Sequence, residues 1–211
     1  MRQLKKLFGL LVLMVAVVPT GFVAMADTVD NPGGVTITAE ANSSIQIGRA
    51  PRFVFGGSTP PSTVGGTVDA DGNLILPANQ TNFQPITIMI GTFSVTVRLV
   101  ATEDGFGIIN PLTGDASAVL TVRVDISGVF IPAGCRIPAT TFVLDAGNDG
   151  GAAYDATAGT ATVVDNSFAV PVSTGCGLLG GIIDGQIGLP SASGNNVVRL
   201  NVRLSPILTG S

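Results

Sequence analysis

The chain has 211 residues, 45% hydrophobic and only 11% charged, with 28 glycines, 13 prolines, two cysteines and no histidine or tryptophan. Three of its ten basic residues, Arg2, Lys5 and Lys6, precede position 27; the other seven are all arginine and face fourteen carboxylates, a net charge of −7. Beyond residue 26 this excludes imidazole and lysine chemistry, including a Ser-His-Asp triad, a Cys-His pair, a histidine zinc site and a Schiff base. It also disfavours a nucleic-acid partner, which needs clustered cations, and the apolar content is too high for a disordered chain.

Residues 1–26, MRQLKKLFGLLVLMVAVVPTGFVAMA, read as a secretory signal peptide. A basic start precedes the apolar run Leu7–Val18, Pro19 and Gly21 break it, and Ala24-Met25-Ala26 supplies the small-x-small pattern. Cleavage is expected before Asp27. The C-terminal LSPILTGS carries no apolar tail and no wall-sorting motif, so the expected location is secreted or extracellular, in contact with the cell surface, with no transmembrane helix after cleavage.

From residue 27 onward the pattern is period two. Short strands are expected at Val35–Ala41, Ser44–Ile47 and Arg52–Phe55, then a flexible loop over GGSTPPSTVGG, residues 56–66. Asp69-Ala70-Asp71-Gly72-Asn73 marks a hairpin into Asn73–Leu76, because glycine accepts positive φ there. Ile86–Ile90 follows. SVTVRLVA from Ser94 then puts Val95, Val97 and Leu99 inward and Arg98 outward. Asn110-Pro111-Leu112-Thr113-Gly114 is a second turn. AVLTVRVDIS from Ala118 places Leu120, Val122, Val124 and Ile126 inward and Arg123 and Asp125 outward. Thr141–Leu144, Thr160–Val164 and Ser167–Val170 come next. GLLGGIIDGQIGL, Gly177–Leu189, is at most a short helix because five glycines weaken it. VVRLNVRL from Val197 buries Val198, Leu200, Val202 and Leu204 and exposes Arg199 and Arg203.

Alternation with one dry and one wet face is the habit of antiparallel sheets. The expected fold is all-β: an antiparallel β-sandwich of many short strands in a single domain, 27–211, with a break near 128–134 as a two-part alternative. Cys135 and Cys176, 41 positions apart, are the only cysteines and are expected to form one disulfide in an oxidising compartment.

The order GCRIPATTFVLDAG, YDATAGTATVVDNSFAVPVSTGCG and GLPSASGNNVVRLNVRLSP, with the upstream GTVDADGNLILP and GIINPLTGDASAVLTVRVDISG, resembles a group of exported all-β proteins of actinomycetes. The resemblance implies an envelope-associated or secreted location and a fold built around one disulfide. The group lacks an assigned activity, so no functional residue carries over.

Three constellations are candidates for chemistry. In LDAGNDGGAAYD, Leu144–Asp155, the residues Asp145, Asn148, Asp149 and Asp155 are candidate calcium ligands. Counting from Asp145, however, the third position is Gly147 and the twelfth is Ala156, so two EF-hand ligand positions are missing. A solvated turn is the favoured reading, and no cofactor is expected. Arg98, Arg123, Arg199 and Arg203 are candidate binding residues for carboxylate or phosphate groups of an envelope polymer or lipid, against the simpler reading of cross-strand ion pairs. Glu40, Glu103 and Asp104 are the carboxylates a glycosidase could use, but a chain whose one tyrosine is Tyr154 offers little platform for sugars. The sequons at Asn42 and Asn79 are weak three-residue matches and carry no weight in the bacterial product that the resemblance implies. The expected function is non-catalytic binding or structure at the envelope, by contact with a polymer, a lipid or another surface protein. The alternatives are an envelope β-barrel or pore-forming subunit and a carboxylate-dependent glycoside hydrolase. Against the membrane barrel stands the lack of aromatic girdles.

Overall fold

The computed structural model describes residues 28–90 and 93–211. The expected leader over residues 1–26 and its cleavage point lie outside them. The β-branched, alternating segments form fourteen strands among the described residues: β1 Gly33–Ala39, β2 Ser44–Gln46, β3 Phe53–Val54, β4 Thr63–Val68, β5 Asn73–Leu76, β6 Thr81–Asn82, β7 Ile86–Ile90, β8 Phe93–Ala101, β9 Gly105–Ile109, β10 Ala116–Ser127, β11 Arg136–Asp145, β12 Ala152–Asp155, β13 Thr160–Asp165 and β14 Val197–Ser205. A 3-10 turn, Gly177–Leu179, leads into the short helix α1, Gly180–Ile187, which stops at Gly188 in the left-handed conformation. No helix among these residues is long and apolar enough to cross a membrane.

The fold is all-β, antiparallel and disulfide-bridged, but the expected sandwich is replaced by a closed barrel. Eight strands follow one another in the order β13-β11-β10-β9-β5-β4-β1-β14, and β14 then pairs with β13 to complete the ring. The closing seam is long, running from Thr160↔Arg203 to Asp165↔Val198. Period two says which side chains face inward; it is the same for two facing sheets and for one sheet curled on itself.

The lumen is a packed core. Val35, Leu74, Leu76, Leu120, Leu144, Val202 and Leu204 fill it, as eight strands leave room for side chains and little else. A void of about 70 Å³ remains, below the ~150 Å³ that admits a benzene-sized guest.

Segment 56–66 departs from expectation, because Thr63–Gly66 is strand rather than loop. A side chain at Gly66 would meet the Ile75 carbonyl and Leu76, so tertiary contact holds this glycine in the sheet where local propensity does not. Ser167–Val170 is not a strand; only Val170 bridges to Ser191. The Asp-Gly hairpin forms as expected. Asp69 accepts backbone N–H bonds from Asp71 and Asn73, and Gly72 takes φ of 80°.

At one end β10 and β14 run beyond the barrel and pair with other strands. β8 takes the second half of β10, β7 pairs with β8, and β2 and β3 extend from the first half of β14. These extensions face each other across Ile45, Phe53, Ile88, Leu99 and Val124. Residues 128–134 are the connection of the β10–β11 hairpin at this end.

Candidate functional site

Cys135 immediately precedes β11 and Cys176 precedes the 3-10 turn; they form a disulfide with Cα atoms 4.2 Å apart, and both are buried. Beside it, the Arg136 N–H donates to the Thr174 carbonyl at 2.9 Å and the Thr174 N–H returns a bond to Arg136 at 2.8 Å. The disulfide and this two-way bridge tie the β10–β11 connection to the segment leading into α1.

The connection consists of two tight turns. The Ile131 N–H donates to the Gly128 carbonyl at 3.2 Å, and the Cys135 N–H to the Pro132 carbonyl at 3.2 Å. Val129 and Phe130 occupy the middle of the first turn and are 89% and 70% exposed. Leu178, next to Gly177 on the disulfide-tied segment, is 99% exposed. Turn centres normally carry Gly, Asn, Asp or Pro for backbone reasons; valine and phenylalanine meet no such need.

Behind this apolar tip sits a basic patch. Asp125 of β10 lies opposite Arg98 of β8 on one side and Arg136 of β11 on the other. Arg123, two residues earlier on the same face, grips Asp125 with both ends of its guanidinium, at 2.9 and 3.2 Å. That hydrogen bond, and then the aspartate charge, raise the Arg123 pKa further. Three arginines thus flank one aspartate in the sheet, and only Arg123 pairs with it, which leaves an excess of two positive charges on an acidic chain. Among the described residues, the ion pairs include neither Arg98 nor Arg136. Arg123, Asp125 and Arg136 border an open hollow of about 430 Å³ whose other wall is the connection 126–135.

Of the four arginines picked out in the sequence, Arg98 and Arg123 meet here, joined by Arg136, which sequence reasoning missed. Arg199 and Arg203 lie apart on β14. The Arg203 Nε donates to Glu40 Oε1 at 2.8 Å and its Nη1 to the Ala158 carbonyl at 3.0 Å, while the Arg199 guanidinium lies against Gly150. The expected four-arginine cluster is thus two separate groups. β11 and β13 intervene between β10 and β14, and one sequence cannot order strands that far apart.

Three of the four candidate calcium residues are bonded to the backbone. The Gly147 N–H donates to Asp145 at 2.6 Å, and the N–H groups of Thr157 and Ala158 donate to Asp155 at 2.8 and 3.1 Å. Those two bonds lower the Asp155 pKa. Asn148 donates its side-chain N–H to the Val164 carbonyl at 2.6 Å, and Asp149 is exposed. No grouping of three acidic, histidine or cysteine side chains with metal-site geometry occurs among the described residues. The loop fastens the seam between β11 and β13, where the ladder pair is Asp145↔Val164. Asp165 completes that seam from the other strand. It is 1% exposed and accepts the Val143 N–H at 2.7 Å, the Ser167 N–H at 2.7 Å and the Ser167 hydroxyl at 2.7 Å. Nothing in the local sequence signals this aspartate's burial.

The carboxylates considered for hydrolysis sit on different connections. Glu40 follows β1 and pairs with Arg203, while Asp104 follows β8, accepts the Ala78 N–H at 2.8 Å and has exposed Glu103 beside it.

A second apolar surface runs across the barrel wall. Ile75, Phe106, Val119 and Val143 stand side by side on β5, β9, β10 and β11, and all but Val119 are more than half exposed. Comparison with protein-family models, curated proteins and solved structures found no match for the chain.

Proposed function

We propose that this is an exported protein that acts at the cell envelope by surface contact, not by catalysis, and that it belongs with the exported actinomycete proteins it resembles. One observation carries the reading: five of the aspartates are spent on the scaffold, while apolar side chains are left in water. Asp69, Asp145, Asp155, Asp165 and Asp184 all accept backbone N–H bonds. Outside, the wall row sets Ile75, Phe106 and Val143 in line and the tip exposes Val129, Phe130 and Leu178; exposed apolar patches on a folded protein mark contact sites. The disulfide supports an oxidising compartment. The pore-forming alternative would have to use an assembly of chains, because this lumen is filled by its own side chains.

Fractionation of producing cells, combined with thiol labelling, tests the reading. The protein is expected in the culture fluid or the envelope fraction, unlabelled until reductant is added. Recovery in the cytoplasm with two free thiols would overturn it.

A further inference from the structure

We propose that the disulfide-locked end is a docking surface for an anionic lipid bilayer, with Val129, Phe130 and Leu178 entering the headgroup layer and Arg98, Arg123 and Arg136 holding lipid phosphates. The inference deepens the proposed envelope function and rests on it.

Three features of the molecule converge on a bilayer. The first is shape. Val129 and Phe130 crown a hydrogen-bonded turn and Leu178 stands on the neighbouring segment, so the apolar surface is a convex tip, not a face. Even at about 250 Å² per side chain, the three fall short of the ~800 Å² per partner that a stable protein interface buries. A bilayer closes around a convex tip and needs no matching concavity.

The second is charge. The tip has three arginines and one aspartate directly behind it, whereas the described chain as a whole is acidic. A guanidinium fork matches phosphate oxygens, and the hollow of about 430 Å³ between Arg123, Arg136 and the connection leaves space for a headgroup. Asp184, on α1, accepts the Ser173 N–H at 2.9 Å and keeps its negative charge, so the three arginines still outnumber Asp125 and Asp184 together.

The third is depth. Asp125, the centre of the basic patch, is three residues before Gly128, about 10 Å along an extended strand. Apolar side chains at an interface sink about 5–10 Å below the headgroups. When the tip is immersed, the arginines therefore stand at the phosphates. The disulfide and the Arg136–Thr174 bridge hold the loops in this arrangement beforehand, which reduces the ordering cost of binding.

Co-sedimentation with vesicles tests the proposal, using the oxidised protein after its N-terminus has been determined, since a retained Leu7–Val18 would itself partition into lipid. Vesicles containing phosphatidylglycerol are compared with pure phosphatidylcholine, at low and high salt, with inorganic phosphate as a soluble competitor. Binding to the anionic vesicles, weakened by salt and little affected by millimolar phosphate, is expected. The triple variant Val129→Ser, Phe130→Ser, Leu178→Ser should lose about 100-fold or more in partitioning. The double variant Arg98→Gln, Arg136→Gln should lose about 25-fold, some fivefold per arginine, and most of the preference for anionic lipid. Both change exposed side chains and should melt with the wild type. No sedimentation of the wild type with anionic vesicles, or an unchanged triple variant that melts normally, would overturn the proposal. So would phosphate competing as well as vesicles bind, or the tip residues mediating a dimer in velocity sedimentation. If vesicle binding fails while the protein still fractionates with the envelope, the lipid tip falls and the envelope function stands; recovery in the cytoplasm ends both.

Discussion

Replacing Tyr154 by phenylalanine removes one oxygen atom and should loosen the chain around Leu208, which follows β14. Tyr154 lies on β12, is buried, and faces Leu208, which is 0% exposed. Its hydroxyl accepts the Leu208 N–H at 2.8 Å and donates to the Leu208 carbonyl at 3.1 Å. Phenylalanine keeps the ring packing but leaves both backbone groups of Leu208 unpaired where water cannot reach. An orphaned buried donor costs about 1–3 kcal/mol, and the loss is offset in part because the phenol no longer has to be desolvated. A net loss of about 2 kcal/mol follows, and at about 2–4 °C per kcal/mol for a chain of this size the melting temperature should fall by about 4–8 °C. Burial also pushes the Tyr154 phenol above its ordinary value of 10.0, with the nearby Asp155 charge adding to it and the Leu208 hydrogen bond opposing it. A raised folded-state pKa gives stability that is complete below pH 10 and lost as pH rises through the folded value. The wild type should therefore lose stability above pH 10 by a component that Tyr154→Phe lacks. Calorimetry from pH 7 to 11, with hydrogen exchange at the Leu208 amide, checks both points. A melting temperature within 1 °C of wild type and an equally protected amide would refute the reasoning.

Other parts of the scaffold can be probed the same way. Asp165→Ala orphans the Val143 and Ser167 N–H groups at the β11–β13 seam and should cost about 2–4 kcal/mol, read from urea unfolding. Removing both cysteines, Cys135→Ser with Cys176→Ser, should cost about 4 kcal/mol by chain entropy, seen as a lower denaturation midpoint. Hydrogen bonds hold two carboxyls below the usual carboxylate value of 3.8: for Asp69 first the Asn73 side chain and then its N–H, for Asp155 the N–H groups of Thr157 and Ala158. Lowered folded-state values give stability that is present above pH 3.8 and lost as pH falls through them. The pair Asp69→Asn, Asp155→Asn should therefore flatten the acid limb of a melting-temperature profile below pH 4. Calcium at millimolar concentration should leave the melting curve unmoved, because Asp145, Asn148 and Asp155 already hold backbone partners; a clear rise would show that the loop 144–155 rearranges around the ion.

Much of this fold was legible residue by residue. The inward sets of β8, β10 and β14 are the expected ones: Val95, Leu99, Leu120, Val122, Val124, Ile126, Val198, Val202 and Leu204 are buried, while Val97 and Leu200 are half-buried against the core, because alternation is a local property of each strand. The turns at Asp69–Asn73 and Asn110–Gly114 were legible too, since their side chains cap their own backbone. Segment 63–66 and β9 were not: Gly65, Gly66, Gly105 and Gly107 argue for loop locally and sit in strand only because neighbours press against them, Gln80 on Gly65 and adjacent strands on the other three. The candidate site shows the same division. Arg98 and Arg123 could be assigned to outer faces, but Arg136 follows a cysteine at the mouth of a hairpin and carries no periodic signal of its own.

By itself, the sequence determined what chemistry is missing, which side of each strong strand is dry, where the tight turns fall, and that Cys135 has only Cys176 to pair with. Only the tertiary structure decided that β13 meets β14 to close a barrel, that β10 brings Arg98 and Arg136 to one aspartate, and that the loop 144–155 serves as a seam. The physical reason is the range of the interactions. Side-chain direction repeats every two residues and is encoded locally, whereas strand neighbours and register depend on pairings between segments as far apart as Thr36 and Ser205.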